Sequence, residues 1–157
     1  MTRIGEDIPE EAFDENAKRL LSNKRIFAYI IREADDRFRD LEVEQILGMM
    51  DDNKESDYLL SIDKECSIYN RKNVADGCFI INVPDGSKLL VDMEFQASRN
   101  TSHCQLAYRM YDTTLYSAVR MNNLKKDKLL GIGDEVLTIW IDSNPLVEYA
   151  NTIRFFP

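Results

Sequence analysis

The stretch that decides the fold runs Asp76-Gly77-Cys78-Phe79-Ile80-Ile81-Asn82-Val83-Pro84-Asp85-Gly86-Ser87-Lys88-Leu89-Leu90-Val91-Asp92-Met93-Glu94-Phe95-Gln96. Gly77 to Val83 is rich in Phe and Ile, and Lys88 to Gln96 alternates, so both arms read as strands. Between them Pro84 presets the first turn position and Asp85 suits the second. Gly86 can take the left-handed conformation of a three-residue hairpin loop. With that loop Val83 faces Ser87, paired residue numbers add to 170, and Asp76 falls opposite Glu94.

Side chains alternate along a strand, so Asp92, Glu94 and Gln96 share one face while Leu89, Val91, Met93 and Phe95 take the other. The second set is core. The first brings two like charges, Asp76 and Glu94, to about 5 Å across the strands, which destabilises the pair unless a cation or proton lies between them. A hard divalent ion such as Mg²⁺, bound by one or two carboxylates and several waters, suits that arrangement. Such an ion activates water and neutralises charge developing on a phosphate. A half-solvated sheet face with acids scattered on it gives the same pattern, and both readings stand at this point.

Upstream, the chain reads as helical. Leu20 and Leu21 close one apolar stripe, and Ser22 or Asn23 caps a second helix carrying Ile26, Phe27, Ile30 and Ile31. Asp40 is the expected cap of a third helix with Val43, Ile46, Leu47 and Met50 on one face. Asp51, Asp52, Glu55 and Asp57 read as a solvated loop, and Tyr58 to Ile62 as a short strand. Downstream, Ser102 caps a long helix to about Met121, with Leu106, Met110, Leu115 and Ala118 among its apolar positions. Asn122 to Lys128 reads as a polar break, Val136 to Ile141 as a buried strand, and Asn151 to Phe156 as a final strand. Helices, three strands, a long helix and two further strands make an α/β protein with a mixed sheet.

The 157 residues carry 20 basic and 28 acidic side chains, a net charge of −8. One domain over residues 1–157 accounts for the length. Hydrophobic residues at 44% and charged residues at 31% exclude disordered, collagenous and membrane-array classes. The acidic excess argues against a protein that coats nucleic acid with a broad basic face. Met1 to Glu15 contains no long apolar run, so neither a signal peptide nor a membrane helix is expected, and the expected location is the cytoplasm. Cys66, Cys78 and Cys104 form no CxxC pair, and His103 is the single histidine, so a zinc site, a disulfide framework and a serine triad are all unsupported. Gly131-Ile132-Gly133 is too short for a dinucleotide fingerprint.

Asp76, followed 18 residues later by Glu94 within Val91-Asp92-Met93-Glu94-Phe95-Gln96, resembles the split acidic motif of PD-(D/E)XK nucleases. The chain is most similar to the transposase-associated (Rpn-like) branch, in which Gln often replaces the motif lysine. Leu20 to Ala28 resembles that branch's opening helix, Leu41 to Ile46 its following short helix, and Thr138 to Asp142 and Asn151 to Arg154 its later strands. The resemblance spans about residues 18 to 156 and implies a restriction-endonuclease-like mixed sheet flanked by helices. It implies Mg²⁺- or Mn²⁺-dependent hydrolysis of DNA phosphodiesters. Asp76 and Glu94 would be metal ligands with the carbonyl of Phe95 as a third, and Gln96 would orient the attacking water or a phosphate oxygen.

The sequence departs from that pattern in three places. Ala75 stands where a proline usually precedes Asp76, Gln96 brings no positive charge, and Pro157 follows the last strand where similar proteins continue, as in a C-terminally shortened copy. A catalytically inactive relic or interaction module with the same fold is the alternative. Arg99, Arg109 and Arg120 are candidate phosphate contacts, with pairing of Arg109 to a nearby carboxylate and of Arg120 with the helix C-terminus an equal alternative, and Tyr108, Tyr111 and Tyr116 are expected in or near the core. Lys125, Lys126 and Lys128 are expected as a solvated basic loop. Phe155 and Phe156 on the C-terminal strand need cover, which a second copy of the chain could supply.

Overall fold

The computed structural model describes residues 10–50, 56–59, 65–68, 71–96 and 103–142. Asn23 opens the helical layer, its side-chain oxygen accepting from the Arg25 and Ile26 N–H groups at 3.1 and 3.2 Å. It separates α1 (Glu10–Leu21) from α2 (Lys24–Ala34). Asp35 ends α2 and begins a single 3₁₀ turn, Asp36–Phe38. The next helix, α3 (Val43–Met49), begins at Glu42 and not at the expected Asp40, because Gln45 reaches back to accept the Glu42 N–H at 2.8 Å.

The hairpin forms in the expected register. Strands β3 (Gly77–Asn82) and β4 (Lys88–Gln96) pair antiparallel, with Gly77 opposite Met93 and Asn82 opposite Lys88. Val83 and Ser87 close the loop through a 2.9 Å hydrogen bond, and Gly86 sits at φ +89, where a side chain would be strained. Gly77 is required for another reason: a Cβ there would lie 2.8 Å from the Phe79 ring.

A second hairpin, β1 (Glu65–Ile68) with β2 (Arg71–Val74), precedes this one and forms its own two-stranded sheet. The sequence gives little sign of it, since Glu65 to Val74 lacks both glycine and clean alternation. Of the strand expected at Tyr58 to Ile62, the described part makes one bridge, Tyr58 to Asn23; residues 60–62 lie outside the described residues.

The long helix α4 (His103–Lys126) runs one turn beyond the expected end. Lys128 takes φ 62, and Leu129 N–H bonds to the Leu124 carbonyl. That is a Schellman-type stop built without glycine, so the usual sequence signal is missing. The helix leads to β5 (Glu135–Asp142), which pairs parallel with β4 and makes the three-stranded sheet mixed, in the order β3-β4-β5. Glu135 and Val136 are exposed and the rest of β5 is half-buried, not fully buried as expected. Asp134 staples the two parallel strands at their start, accepting from Lys88 N–H at 2.7 Å and Gly131 N–H at 2.5 Å, and these donors hold its carboxyl below the usual range. Ser102, the expected cap of α4, and the expected final strand at 151–156, with Phe155 and Phe156, lie outside the described residues.

Each sheet face is covered. On one side Phe79, Ile81, Val83, Leu89, Val91 and Met93 pack with Phe27, Ala28, Ile31, Phe38, Val43 and Ile46 of the helical layer. Phe27 meets Phe79 edge-on at 5.4 Å. The other side packs Cys78 and Leu90 with Met121, Leu124 and Leu130. Cys78 is fully buried. No helix among the described residues is long and apolar enough to cross a membrane.

Candidate active site

The C-terminal end of β4 gathers the residues singled out by the sequence. Because Gly77 pairs with Met93, Asp76 arrives beside Glu94 as the chain enters β3. The Phe95 N–H donates to Asp76 Oδ2 at 2.7 Å, which fixes that carboxylate to the backbone of β4. The other carboxylate oxygen, Oδ1, lies 3.0 Å from Nζ of Lys18 on α1. No sequence signal pointed to Lys18, which is 58 residues from its partner.

Glu94 is only 8% exposed, and its Oε1 is buried with no hydrogen-bond partner. Burial, then the negative charges of Asp76 and Asp92, push its pKa from the ordinary 4.5 up to about 8. At neutral pH and without a cation beside it, Glu94 therefore holds its proton. Gln96 is 3% exposed and accepts a hydrogen bond from Nη1 of Arg109 on α4. The Arg109 guanidinium also lies over Trp140, 5.9 Å from the ring centre. Trp140 pairs with Glu94 across β4 and β5.

The half-solvated reading of this face is overturned: Asp92, Glu94 and Gln96 are all buried beneath α4. Asp92 is completely enclosed. Its Oδ2 accepts from Ser117 Oγ at 2.6 Å and from Arg120 Nη1, and Arg120 also donates to Asn73 of β2 at 3.3 Å. Burial pushes the Asp92 carboxyl up, and the touching Arg120 guanidinium pulls it back. Arg120 is 3% exposed and serves this pair, so in place of either expected role, phosphate contact or complement to the helix C-terminus, it is a buried counter-ion. An acid inside a strand with buried neighbours on both sides calls for a cation from the covering layer, and that was the available signal.

Tyr108 and Tyr111, expected in or near the core, are 72% and 64% exposed, and Leu115 and Ala118 also face outward. The inner stripe of α4 is Thr113, Ser117, Arg120, Met121 and Leu124, three of the five polar because they face the acids of β4. Tyr116 is half-buried, as expected. Arg99 lies outside the described residues. Lys125 and Lys126 belong to the last turn of α4, and Lys128 to its stop, so they form a helix end and not a free loop.

Two carboxylates from adjacent strands, one holding a buried unpartnered oxygen, supply the hard oxygen donors that Mg²⁺ accepts while keeping most of its waters. The donor set fits such an ion. Among the described residues no group of three or more His, Cys, Asp or Glu side chains converges as a metal cage. No family model, curated protein or solved structure matches the chain.

Proposed function

We propose that this chain is a Mg²⁺- or Mn²⁺-dependent DNA endonuclease of the transposase-associated PD-(D/E)XK type, built on a restriction-endonuclease-like sheet. The observation that carries the reading is Asp76 and Glu94 meeting at the end of paired strands, with Glu94 Oε1 buried and unpartnered. A protein does not ordinarily leave a carboxylate in that state without a proton or a cation to balance it.

Asp76 and Glu94 would hold the ion, with the Phe95 carbonyl as a third donor. When bound, the ion supplies charge neutralisation at the phosphate and a more acidic water. The rest falls to the chain. The Phe95 N–H keeps Asp76 oriented, and burial keeps Glu94 from being hydrated in competition. Gln96 is a neutral positioning group whose amide oxygen is taken by Arg109. Arg109 thereby brings from α4 a positive charge that Gln96 lacks, close to where a phosphate oxygen would sit. The cytoplasm remains the proposed location, DNA the partner, and self-association through the strand expected from the sequence at 151–156 a further part of the proposal.

The test is nicking of supercoiled plasmid with Mg²⁺ or Mn²⁺, wild type against Glu94→Ala. Loss of a metal ligand is expected to reduce the rate by several orders of magnitude. Equal nicking by both proteins rejects the assignment.

One observation favours the alternative, a non-catalytic interaction module of the same fold. Asp76 is already paired with Lys18 and Asp92 with Arg120, and Glu94 holds its own proton at neutral pH, so the acids are balanced without any added ion. Under that reading neither Mg²⁺ nor Mn²⁺ raises the melting temperature. Under the nuclease reading both do, because the ion binds only the folded state.

A further inference from the structure

The residues expected to meet substrate lie on α4, yet the cleft beside Asp76 opens on the opposite side, between α1, the α1–α2 junction and the segment around Tyr58. It has a volume of ≈ 450 Å³ and is lined by Lys18, Arg19, Ser22, Tyr58, Leu59, Asp76 and Phe79. That volume lies within the range of small-ligand sites. The lining is ordered by more than helix α1 alone. Lys24 N–H bonds to the Asp57 carbonyl at 2.9 Å and Leu59 N–H to the Ser22 carbonyl at 2.8 Å, which fastens Tyr58 against the helix junction.

The charge of this cleft runs against that of the whole chain. Among the described residues two cations, Lys18 and Arg19, face one carboxylate, Asp76, in a protein of net charge −8. Arg19 does not wave in solvent, because its guanidinium lies over the Tyr58 ring, 5.6 Å from the centre. That contact fixes the flat donor fork and leaves its edge for an anion. Lys18, 3.0 Å from Asp76, lines the cleft beside the candidate metal ligand. Below the cations the floor is apolar, with Leu59 and Phe79 at 7% and 2% exposure. A cationic rim over an apolar floor suits an anion that carries a flat or ring-shaped apolar body.

We propose that this cleft is a nucleotide-binding subsite for one strand of DNA, with Arg19 and Lys18 holding a backbone phosphate and Tyr58, Leu59 and Phe79 receiving the attached sugar and base. The inference rests on the nuclease reading, for it places the bound strand next to Asp76. It also assigns the substrate entrance to α1 and Tyr58, with α4 limited to Arg109.

The test is fluorescence anisotropy with a short fluorescein-labelled oligothymidylate in EDTA at low salt, so that binding is read without cleavage. Arg19→Ala is expected to weaken binding roughly tenfold and Arg19→Glu further, as loss of a charge-assisted contact does. The slope of log affinity against log salt should shrink by about 0.7, the value for one phosphate contact on a single strand. Arg19→Lys should recover the salt slope without the full affinity. Arg19 is surface-exposed, so these variants keep the fold. Lys126→Ala, on the exposed last turn of α4, should bind as wild type does. Absence of binding by wild type, unchanged affinity in Arg19→Glu, or an equal loss in Lys126→Ala overturns the proposal. The two readings fail separately. Plasmid nicking that depends on Glu94 with an Arg19→Glu protein of wild-type affinity removes the subsite alone. Cleft-dependent binding with nicking indifferent to Glu94 removes the nuclease assignment alone.

Discussion

The two faces of the β3-β4-β5 sheet are both shielded from water, but by opposite chemistry. The face against α2 and α3 is closed by apolar side chains, with Phe27, Phe38, Phe79, Ile81 and Met93 all at 2% exposure or less. The face against α4 encloses Asp92, Glu94, Gln96, Thr113, Ser117 and Arg120. Dispersion and water release hold the first, with little dependence on pH or salt. The second is stable only insofar as each polar group finds a partner, and it fails where one is removed. One strand, β4, supplies both faces by alternation, so a single nine-residue segment carries the core on one side and the candidate chemistry on the other. The placement suggests a division of labour: the apolar face holds the sheet rigid enough for the acidic face to be left short of partners.

The largest effect that would test this contrast is Asp92→Ala. It leaves Arg120 buried without its counter-ion and is expected to cost about 3–5 kcal/mol in urea unfolding. Asp92→Leu combined with Arg120→Met should recover most of that loss, since removing both charges removes the desolvation penalty as well. Equal losses in the single and double variants would mean that packing and not charge governs this face.

Next in size is the pH dependence of stability set by Glu94. The folded protein holds this proton up to about pH 8, whereas an ordinary Glu releases it near 4.5. Between those values the folded state binds a proton that the unfolded chain has lost, so stability is full below about 4.5 and falls as the pH rises through about 8. The expected fall is on the order of a few kcal/mol. Glu94→Gln, which keeps the shape and cannot titrate, should flatten most of the slope and leave the protein more stable than wild type above pH 8. Denaturant midpoints across that range measure it, and a wild-type curve that is level there would separate Glu94 from the acidic face altogether.

Smallest is the matching probe on the apolar face. Ile81→Val removes one buried methylene and should cost about 1 kcal/mol, by the same amount at pH 5 and pH 8. A pH-dependent cost would show that the two faces are not independent.

Much of this arrangement was legible in the sequence because its determinants are local. Pro84, Asp85 and Gly86 define a loop, the loop defines the register, and alternation then sorts β4 into its two faces. What escaped has non-local causes. Lys18 reaches Asp76 only through tertiary packing, and Arg120 reaches Asp92 from 28 residues away. The inner stripe of α4 was misassigned because apolar periodicity is a poor guide where a helix covers acids: Leu115 faces out so that Ser117 and Arg120 can face in. The β1–β2 hairpin and the Schellman stop at Lys128 lack the glycines by which such turns are usually found.

The two neighbours of β4 also differ in how the chain reaches them. β3 joins through a three-residue loop, whereas β5 pairs only after the whole α4 crossover, Leu89 meeting Glu135 at a separation of 46 residues. Closing the short loop costs far less chain entropy and happens sooner. The pairing that sets Asp76 beside Glu94 is thus a local one, whereas Ser117 and Arg120, which meet Asp92, and Arg109, which meets Gln96, reach β4 only through long-range packing.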